Sequence, residues 1–267
     1  MNTISELMNL SGRRVLITGA TGGIGQEICA TIAELGGDLL LVDLPGTDFD
    51  PLQEKLQKKF NVKISCIECD LEIESERIKL LDIVNSNDDG LDVLINNAAF
   101  VGTTGLEGWA TDFEQQSIET WRRAMEVNLT AVFHLSQGCA PLLRKSKGGS
   151  IVNVSSIYGV NAPDYSLYEG TAMGNPAAYA ASKGGLLQLT RWLSTTLAPD
   201  IRVNSISPGG ISRGQPKQFV ERYNARTPLE RMATEEDMKG GIAYLASDLS
   251  AYVTGQNLLI DGGWTAW

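Results

Sequence analysis

The sequence alternates short apolar runs with helical patterns along its length, and this alternation limits the possible folds more than any other feature. Helical patterns cover about 23–35, 73–86, 117–144 and 177–197. Strands buried on both faces of a parallel sheet are continuous apolar runs separated by helices. We therefore expect an α/β fold, a seven-stranded parallel sheet with helices on both faces. The seven runs lie at 13–18, 38–43, 62–69, 91–96, 150–156, 201–207 and 256–261.

The chain is predicted to form one domain over residues 1–267, because no linker, repeat or low-complexity segment divides it. Three stretches, 99–116, 157–175 and 209–228, are too long and polar for simple connections. Each follows a predicted strand, at the edge of an open α/β sheet where ligands bind. Long loops at that edge usually carry function, so we expect them to contact substrate.

The balance of charge excludes several partners. Lys and Arg total 22 against 32 Asp and Glu, a formal net charge of −10. Nucleic acids and anionic membranes require a basic face, so neither is expected. The apolar runs are too short to span a bilayer, and the polar N-terminal segment does not resemble a secretory signal. These features predict a cytoplasmic protein.

Metal binding is not expected from the cysteines or the histidine. Cys66 and Cys69 form a lone C-x-x-C in an apolar run, without the second ligand pair that a zinc site needs. His134 is the only histidine and lies among apolar residues of a predicted helix. We interpret the cysteines as core residues and His134 as a packing residue.

A glycine cluster, TGATGGIG at 18–25, lies between the first predicted strand and the first helix. Such a turn lets a pyrophosphate approach the free N–H groups of a helix N-terminus. Asp43 ends the second strand, where a carboxylate can bind ribose hydroxyls and repel a 2′-phosphate. A strand-end aspartate could instead cap a turn. Because no basic residue lies in the glycine cluster or beside Asp43, the pattern favours NAD over NADP.

Tyr179 and Lys183 are four residues apart in the alanine-rich stretch NPAAYAASKGG at 175–185. On a helix this spacing places both side chains on one face. A phenol beside an ammonium could be a solvated surface pair or a device for proton transfer. One nearby ammonium is strong enough to lower the pKa of a phenol substantially, and we favour proton transfer.

Taken in order, the motifs resemble those of the short-chain dehydrogenase/reductase family, in its compact single-domain form. The resemblance covers about residues 11–263 and implies a single-domain Rossmann fold, an NAD(H)-dependent oxidoreductase acting on secondary alcohols and ketones, and a homotetramer. The motifs that carry it are TGATGGIG, NNAA (96–99), VNLT (127–130), VNVSS (152–156), YAASK (179–183), SPGG (207–210) and DGG (261–263).

The resemblance implies four catalytic residues. Tyr179 acts as general acid or base on the substrate oxygen, and Ser156 holds that oxygen by a hydrogen bond. Lys183 contacts the nicotinamide ribose and lowers the pKa of Tyr179. Asn128 anchors a water chain for protons, although a polar residue there could also kink the long helix, and Ser156 could simply end its strand.

The resemblance also implies a set of cofactor contacts. Asp70 matches a position that meets the adenine ring, and the loop that begins at Pro208 matches the segment that passes the nicotinamide. The full implied set is Thr18, Gly19, Thr21, Gly22, Gly23, Ile24, Gly25, Asp43, Leu44, Asp70, Leu71, Asn97, Ala98, Ala99, Tyr179, Lys183, Pro208, Gly209 and Ile211.

This chain departs from the family pattern between the catalytic serine and tyrosine. Ser156 and Tyr179 are 23 residues apart, whereas compact members usually have a spacing of about ten fewer. The additional residues lie within 158–176, which we expect to loop outward and form a wall of the substrate pocket. Tyr165 and Tyr168 then become candidate substrate contacts, together with Ser156.

Arg213 occupies a position where the family commonly has a threonine, and we expect it to face the substrate. The three loops are rich in Tyr, Trp, Asp, Glu, Arg and Gln, which favours a polar, hydroxylated, sugar-like substrate. Pieces of the 158–176 segment also resemble family members of surface-glycan pathways, such as flagellin modification.

An exposed aromatic pair, Trp264 and Trp267, and the two long helices are the features that favour a homotetramer. Two other functions remain open from the sequence. A nucleotide-sugar epimerase or dehydratase also uses a Y-x-x-x-K pair, but such enzymes usually have a larger C-terminal substrate domain. A non-catalytic NAD-sensing protein typically lacks the tyrosine or the lysine, and both are present here.

Overall fold

Seven parallel strands form one sheet, in the order β3-β2-β1-β4-β5-β6-β7. This computed structural model describes residues 1–86, 90–101 and 104–267. The predicted α/β class and the seven-stranded parallel sheet are therefore confirmed. The strands are β1 (Arg14–Thr18), β2 (Asp38–Asp43), β3 (Ile64–Glu68), β4 (Val93–Asn96), β5 (Gly149–Val154), β6 (Ile201–Pro208) and β7 (Asn257–Ile260).

Helices connect the strands within the described ranges, and none of those helices is long and apolar enough to cross a membrane. The longest, α7, has 20 residues and carries Tyr179 and Lys183. The helices are α1 (Ile4–Met8), α2 (Gly23–Glu34), α3 (Asp50–Gln57), α4 (Glu74–Asn85), α5 (Ile118–Met125), α6 (Ala131–Leu143), α7 (Ala177–Thr196), α8 (Lys217–Arg226) and α9 (Lys239–Ala246).

Two apolar layers cover the two faces of the sheet. Successive side chains of a strand point to opposite faces, so Val15 and Ile17 pack against α2, α3 and α9. Leu16, between them, packs on the other face against α4, α6 and α7. Because both faces are buried, the central strands have no polar alternation, and this makes them recognisable in the sequence.

The order of the strands reverses around β1, which pairs with β2 on one side and with β4 on the other. In a parallel sheet the carboxyl ends of all strands lie at one edge, and ligands bind where the strand order reverses. Here that edge carries Thr18, Asp43, Asn96, Val154 and Pro208. The predicted functional residues follow these strand ends.

The sequence prediction misses the short helix α1, which buries none of its five residues, and it also misses α3 and α8. Helix α3 is short and buries only Leu52 and Leu56. Helix α8 lies inside the stretch 209–228, for which the sequence predicts a loop, and it buries only Phe219 and Tyr223. In both helices a single pair of apolar residues, four apart, faces the core, and this pattern is too short to show a helical period. The described part of 99–116, which excludes 102–103, contains only one turn of 3₁₀ helix.

The interpretation of both C-x-x-C cysteines as core residues is half wrong. Cys69 is buried, but Cys66 is exposed because β3 is the edge strand of the sheet. Within the described ranges no three His, Cys, Asp or Glu residues are arranged to hold a metal ion. His134 accepts a hydrogen bond at Nδ1 from the buried Arg77 (3.2 Å), which agrees with a packing role.

Candidate active site

The backbone of the glycine turn after β1 packs against Ala98, just beyond the end of the adjacent strand β4. Gly19 has a φ of +64°, and a Cβ there would lie 2.9 Å from the Cα of Ala98. A Cβ on Gly25 would lie 2.0 Å from the carbonyl oxygen of Gly19. Asn97 fixes the turn, since its Nδ2 donates to the carbonyls of Thr18 (3.0 Å) and Gly19 (2.9 Å). Side chains at these two glycines would fill the turn that precedes α2.

A cleft of about 430 Å³ opens beside this turn. Thr18 is an exception among the predicted contacts, since it is buried and its Oγ accepts from the amides of Asn97 (3.0 Å) and Ala98 (3.1 Å) instead of facing the cleft. The predicted cofactor residues that line the cleft are Gly19, Thr21, Gly22, Gly23, Ile24, Gly25, Asp43, Leu44, Asp70, Leu71, Asn97, Ala98 and Ala99.

Asp43 is oriented by the glycine turn itself. Its carboxylate accepts hydrogen bonds from the amide (2.9 Å) and the hydroxyl (2.7 Å) of Thr21, and from the amide of Leu44 (2.9 Å). It lines the cleft at the end of β2. A glycine-rich turn, a helix N-terminus and a strand-end carboxylate are the features that hold a dinucleotide in this type of sheet. The residues present therefore fit a nicotinamide dinucleotide.

A second cavity, of about 570 Å³, adjoins the cleft and contains the predicted catalytic residues. Ser156, Tyr179 and Lys183 all line it, although the first two are 23 residues apart in the chain. Pro208, Gly209 and Ile211 from the loop after β6 also line this cavity. The residues common to the cavity and the cleft are Ile24, Asn97, Ala99, Val101 and Arg213.

Lys183 is buried at the bottom of this cavity, with 3% of its surface exposed. Its Nζ donates to the carbonyl oxygen of Val154 (2.7 Å) and lies 5.8 Å from the centre of the Tyr179 ring. Burial lowers the pKa of Lys183 to about 7, because removal from water disfavours the charged form. The amine can therefore change its protonation state near neutral pH.

Burial raises the pKa of Tyr179 in the chain alone, and a hydrogen bond with Ser156 and the charge of Arg213 act in the opposite direction. The lowered pKa expected from the sequence presupposes a fully charged lysine and a cationic nicotinamide beside the phenol. The depressed pKa of Lys183 weakens the first of these contributions. The Oγ of Ser156 also accepts from the amide of Tyr158 (3.2 Å), which orients the serine.

Asn128 lies outside both cavities and joins two segments around them. The predicted long helix over 117–144 contains a π-turn at Glu126–Thr130, between α5 and α6. The Oδ1 of Asn128 accepts from the amide of Phe100 (2.8 Å), and its Nδ2 donates to the carbonyl of Phe100 and the hydroxyl of Ser182 (both 3.1 Å). The structure thus places this residue as a link between the loop after β4 and α7.

The 158–176 segment forms one wall of the second cavity. Tyr168 lines the cavity, as expected, but Tyr165 is 63% exposed and does not, because its ring lies on the outer side of Tyr168. The hydroxyls of Tyr158 and Tyr168 are 2.6 Å apart. Burial raises the pKa of Tyr168, and the neighbouring side chains of Tyr158 and Asn175 act in the opposite direction.

Helix α8 holds this wall in place. Arg222 donates to the carbonyl oxygen of Glu169 (2.6 Å), Gln218 donates to that of Gly170 (2.5 Å), and Arg226 pairs with Asp164. The predicted exposure of Trp264 is wrong, since only 1% of its surface is exposed. Its ring packs with Ile157, Leu167, Tyr168, Phe219, Tyr223 and Met232 in an apolar cluster beneath the wall.

Arg213 lines both cavities, but its guanidinium lies at the glycine turn. A Cβ on Gly23 would lie 2.9 Å from an Nη of Arg213 and 2.8 Å from the carboxylate of Glu235. Arg213 and Glu235 form an ion pair (2.8 Å). The sequence predicts that Arg213 faces the substrate; the residue does line the second cavity, but the ion pair holds its charge beside the N-terminus of α2.

Several cavity residues are absent from the sequence prediction. Tyr158 lies two residues after Ser156, and Asn175 directly precedes the proline at the start of α7, so proximity to recognised motifs could have indicated both. Others come from loop and helix positions outside the motifs. Examples are Ala110, Gln215, Phe219, Tyr223 and Met232 in the cavity, and Phe100, Val101 and Thr104 in the cleft.

Comparison with known proteins agrees with this geometry. A family model described as enoyl-(acyl carrier protein) reductase matches residues 19–265. The chain belongs to the short-chain dehydrogenase/reductase family.

Three similar proteins illustrate the range of that family. The NADP-dependent mannitol dehydrogenase of Alternaria alternata is 30% identical over 270 residues, covering 98% of this chain and 95% of that protein. The post-translational flagellin modification protein A of Campylobacter coli is 29% identical over 257 residues, covering 96% and 99%. A short-chain dehydrogenase from Leptospira borgpetersenii, solved with bound NAD⁺, is 34% identical with a TM-score of 0.84, covering 99% and 96%.

Proposed function

We propose that this protein is an NAD(H)-dependent oxidoreductase that interconverts a secondary alcohol and a ketone, with Tyr179 as general acid or base. The observation that carries the proposal is the convergence of Ser156, Tyr179 and Lys183 on one cavity that adjoins a dinucleotide-shaped cleft. The first two residues are brought together across the 158–176 segment, so the convergence arises from the fold and not from proximity in sequence.

The nicotinamide dinucleotide, when bound in the cleft, supplies a hydride acceptor or donor. The Oη of Tyr179 takes the proton from the substrate hydroxyl during oxidation and returns it during reduction. Ser156 donates a hydrogen bond to the same substrate oxygen and keeps it next to the phenol. The buried amine of Lys183, protonated, stabilises the phenolate form of Tyr179, and its hydrogen bond to Val154 fixes its position.

NAD is the proposed cofactor, in preference to NADP. The carboxylate of Asp43 lines the cleft at the end of β2, where it would repel a 2′-phosphate. The next residue, Leu44, carries no charge that could compensate. Arg213 is the only basic residue among the described residues of the cleft, and it lies at the glycine turn paired with Glu235. Relatives use either cofactor, so this assignment rests on Asp43.

The proposed substrate is polar and hydroxylated, similar to a sugar or polyol. Support comes from the hydroxyl and amide groups of Tyr158, Tyr168 and Asn175 in the cavity wall, and from the similarity to a mannitol dehydrogenase.

We also propose a cytoplasmic location and a homotetramer, in which the exposed aromatic residues of α6 and α7 are covered by a second copy.

The test is turnover of a panel of polyols and sugars, followed by the absorbance of reduced nicotinamide. We expect the wild type to prefer NAD⁺ over NADP⁺ by at least about tenfold in kcat/KM. The variant Tyr179→Phe is expected to bind NAD⁺ normally but to lose about 10²- to 10⁴-fold in kcat, the range typical for loss of a general acid or base.

The exposed Tyr165 provides a matched control, and Tyr165→Phe is expected to leave turnover unchanged. Unchanged turnover in Tyr179→Phe would reject the mechanism. Binding of NAD⁺ without turnover of any alcohol or ketone in the panel would favour a non-catalytic role. Redox-neutral conversion of a nucleotide sugar would favour an epimerase or dehydratase.

A further inference from the structure

We infer that Asn175 and the tyrosine pair Tyr158–Tyr168 form a second hydroxyl-binding subsite, and that the substrate therefore carries another hydroxyl besides the one that reacts. This inference rests on the proposed function, because Ser156 and Tyr179 are there engaged with the reacting oxygen. It goes further by assigning a hydrogen-bond partner to a different oxygen of the substrate.

The primary observation is a buried acceptor that has no partner. Asn175 is 7% exposed, and its Oδ1 makes no hydrogen bond within the described ranges of the chain. Buried polar atoms are almost always paired, so each exception calls for an explanation. Asn175 lines the cavity that contains Tyr179, so a ligand in that cavity can supply the missing donor.

The group that Asn175 offers follows from its chemistry. Its unpartnered Oδ1 is a carbonyl oxygen, which can only accept a hydrogen bond, and the side chain neighbours Tyr168. The hydroxyls of Tyr158 and Tyr168 share one hydrogen bond of 2.6 Å. Two hydroxyls have two protons, and only one is used between them. The subsite thus offers one acceptor and one spare donor, which together match a hydroxyl group.

The charge of the cavity argues against an ammonium group as the missing donor. Its described lining includes the cationic side chains of Lys183 and Arg213 and contains no Asp or Glu. Because Arg213 is already paired with Glu235 and the described lining has no carboxylate, an ammonium would enter the site without a counter-ion, which is unfavourable in a partly buried position. A neutral hydroxyl meets no such penalty, so the ligand class is a diol, polyol or sugar.

The 158–176 segment, which carries the subsite, is held in place by several contacts, so it can discriminate between substrates with and without the second hydroxyl. The outer part of the 158–176 segment is fixed by Arg222, Gln218 and Arg226 of α8. Tyr168 packs against Phe219 with ring centres 5.4 Å apart. A site built to hydrogen-bond a substrate hydroxyl rejects an analogue that lacks it, because its polar groups are then left unpaired.

The experiment compares cyclohexanol with trans-1,2-cyclohexanediol as substrates in the presence of NAD⁺, and cyclohexanone with 2-hydroxycyclohexanone in the presence of NADH. For the wild type we expect kcat/KM to favour the hydroxylated member of each pair by at least about tenfold, which is the effect of one hydrogen bond of about 1.4 kcal/mol. In Asn175→Leu and Asn175→Ala the ratio is expected to fall to within about twofold of one. The matched control, Tyr165→Phe, lies on the same segment but outside the cavity, and it is expected to keep the wild-type ratio.

The outcomes separate this inference from the proposed function. If the wild type turns over both members of a pair with equal kcat/KM, the subsite is overturned while the oxidoreductase proposal stands. If it turns over neither alcohol and neither ketone, and no polyol of the wider panel, the oxidoreductase proposal fails. A preference for the diol that persists in both Asn175 variants would also overturn the subsite. Should those variants not fold, the wild-type ratio and that of Tyr168→Phe, which is expected to be reduced, decide the question.

Discussion

At Lys183 a four-carbon amine is buried, with 3% of the residue exposed, and its Nζ donates to the carbonyl oxygen of Val154. Its pKa is lowered from the ordinary value of 10.5 to about 7. Between these two values the unfolded chain binds more protons at this lysine than the folded chain does. Stability therefore increases with pH across this window.

The variant Lys183→Met tests this linkage, because it keeps the length of the side chain and removes the titration. From pH 7 to pH 9 the free energy of unfolding of the wild type is expected to rise by about 2 kcal/mol relative to the variant. Urea denaturation at pH 7, 8 and 9 in the absence of cofactor measures this difference. The exposed Lys58 is the control, and Lys58→Met is expected to give a curve parallel to the wild type. Parallel curves for Lys183→Met as well would show that the amine is not desolvated.

The sequence predicts which residues are catalytic, but it does not predict the protonation states of their side chains. Ser156, Tyr179 and Lys183 are embedded in short motifs, so their convergence can be expected from the sequence alone. The pKa of Tyr179 depends on how far the cavity excludes water, and that depends on the 158–176 wall, Tyr168 and Arg213 together. Such non-local burial cannot be read from a local pattern.

Among the elements, the π-turn at Glu126–Thr130 connects the loop after β4 with α7 through Asn128. It is located where Asn128 must reach both Phe100 and Ser182. An additional residue in the helical turn redirects the side chain, and π-turns occur frequently at functional sites. Phe100 in turn lines the cofactor cleft, so this contact links the cleft to α7.

The variant Asn128→Ala is expected to reduce the free energy of unfolding by about 2 kcal/mol, because it leaves polar groups of Phe100 and Ser182 unpaired. Asn128→Asp keeps the acceptor for the Phe100 amide but places a buried carboxylate oxygen against the Phe100 carbonyl, so a loss at least as large as that of Asn128→Ala is expected. Asn85, exposed at the end of α4, supplies the control Asn85→Ala, for which we expect almost no change. Thermal and urea unfolding measure all three. Equal stability of Asn128→Ala and the wild type would mean that the link carries no energy.

The difference between predicted and missed elements has a physical cause. The central strands are buried on both faces, so apolar residues dominate β1, β2 and β4, and their prediction is correct. Helix α8 buries only Phe219 and Tyr223, and its position depends on ion pairs and hydrogen bonds with the 158–176 segment. That segment has no counterpart in the usual family pattern. The cavity wall is therefore an outcome of tertiary contacts between two irregular regions, which no periodicity in either one reveals.

At the scale of the whole molecule, apolar surface remains uncovered on α6 and α7. Phe133 of α6 is 40% exposed and Trp192 of α7 is 54% exposed. Both helices pack on the same face of the sheet, and α7 contacts the π-turn that precedes α6. Isolated exposed apolar residues are normal, but aromatic residues on adjacent long helices are typical of surfaces that pair with a second copy. These residues, and not the buried Trp264, are the aromatic surface that favours the tetramer.

We expect light scattering at micromolar concentration to give four times the chain mass of 28.8 kDa. A charge placed within an apolar two-fold interface faces its own copy, so Trp192→Glu opposes association both by burial of the carboxylate and by like-charge repulsion. This variant is expected to have a lower mass, that of a dimer or a monomer, with unchanged far-ultraviolet circular dichroism. Ile4 is also exposed, but it lies on α1 and not on α6 or α7. The control variant Ile4→Glu is therefore expected to remain tetrameric. A monomeric wild type, or a tetrameric Trp192→Glu variant, would contradict pairing through α7, and the aromatic surface would then need another explanation.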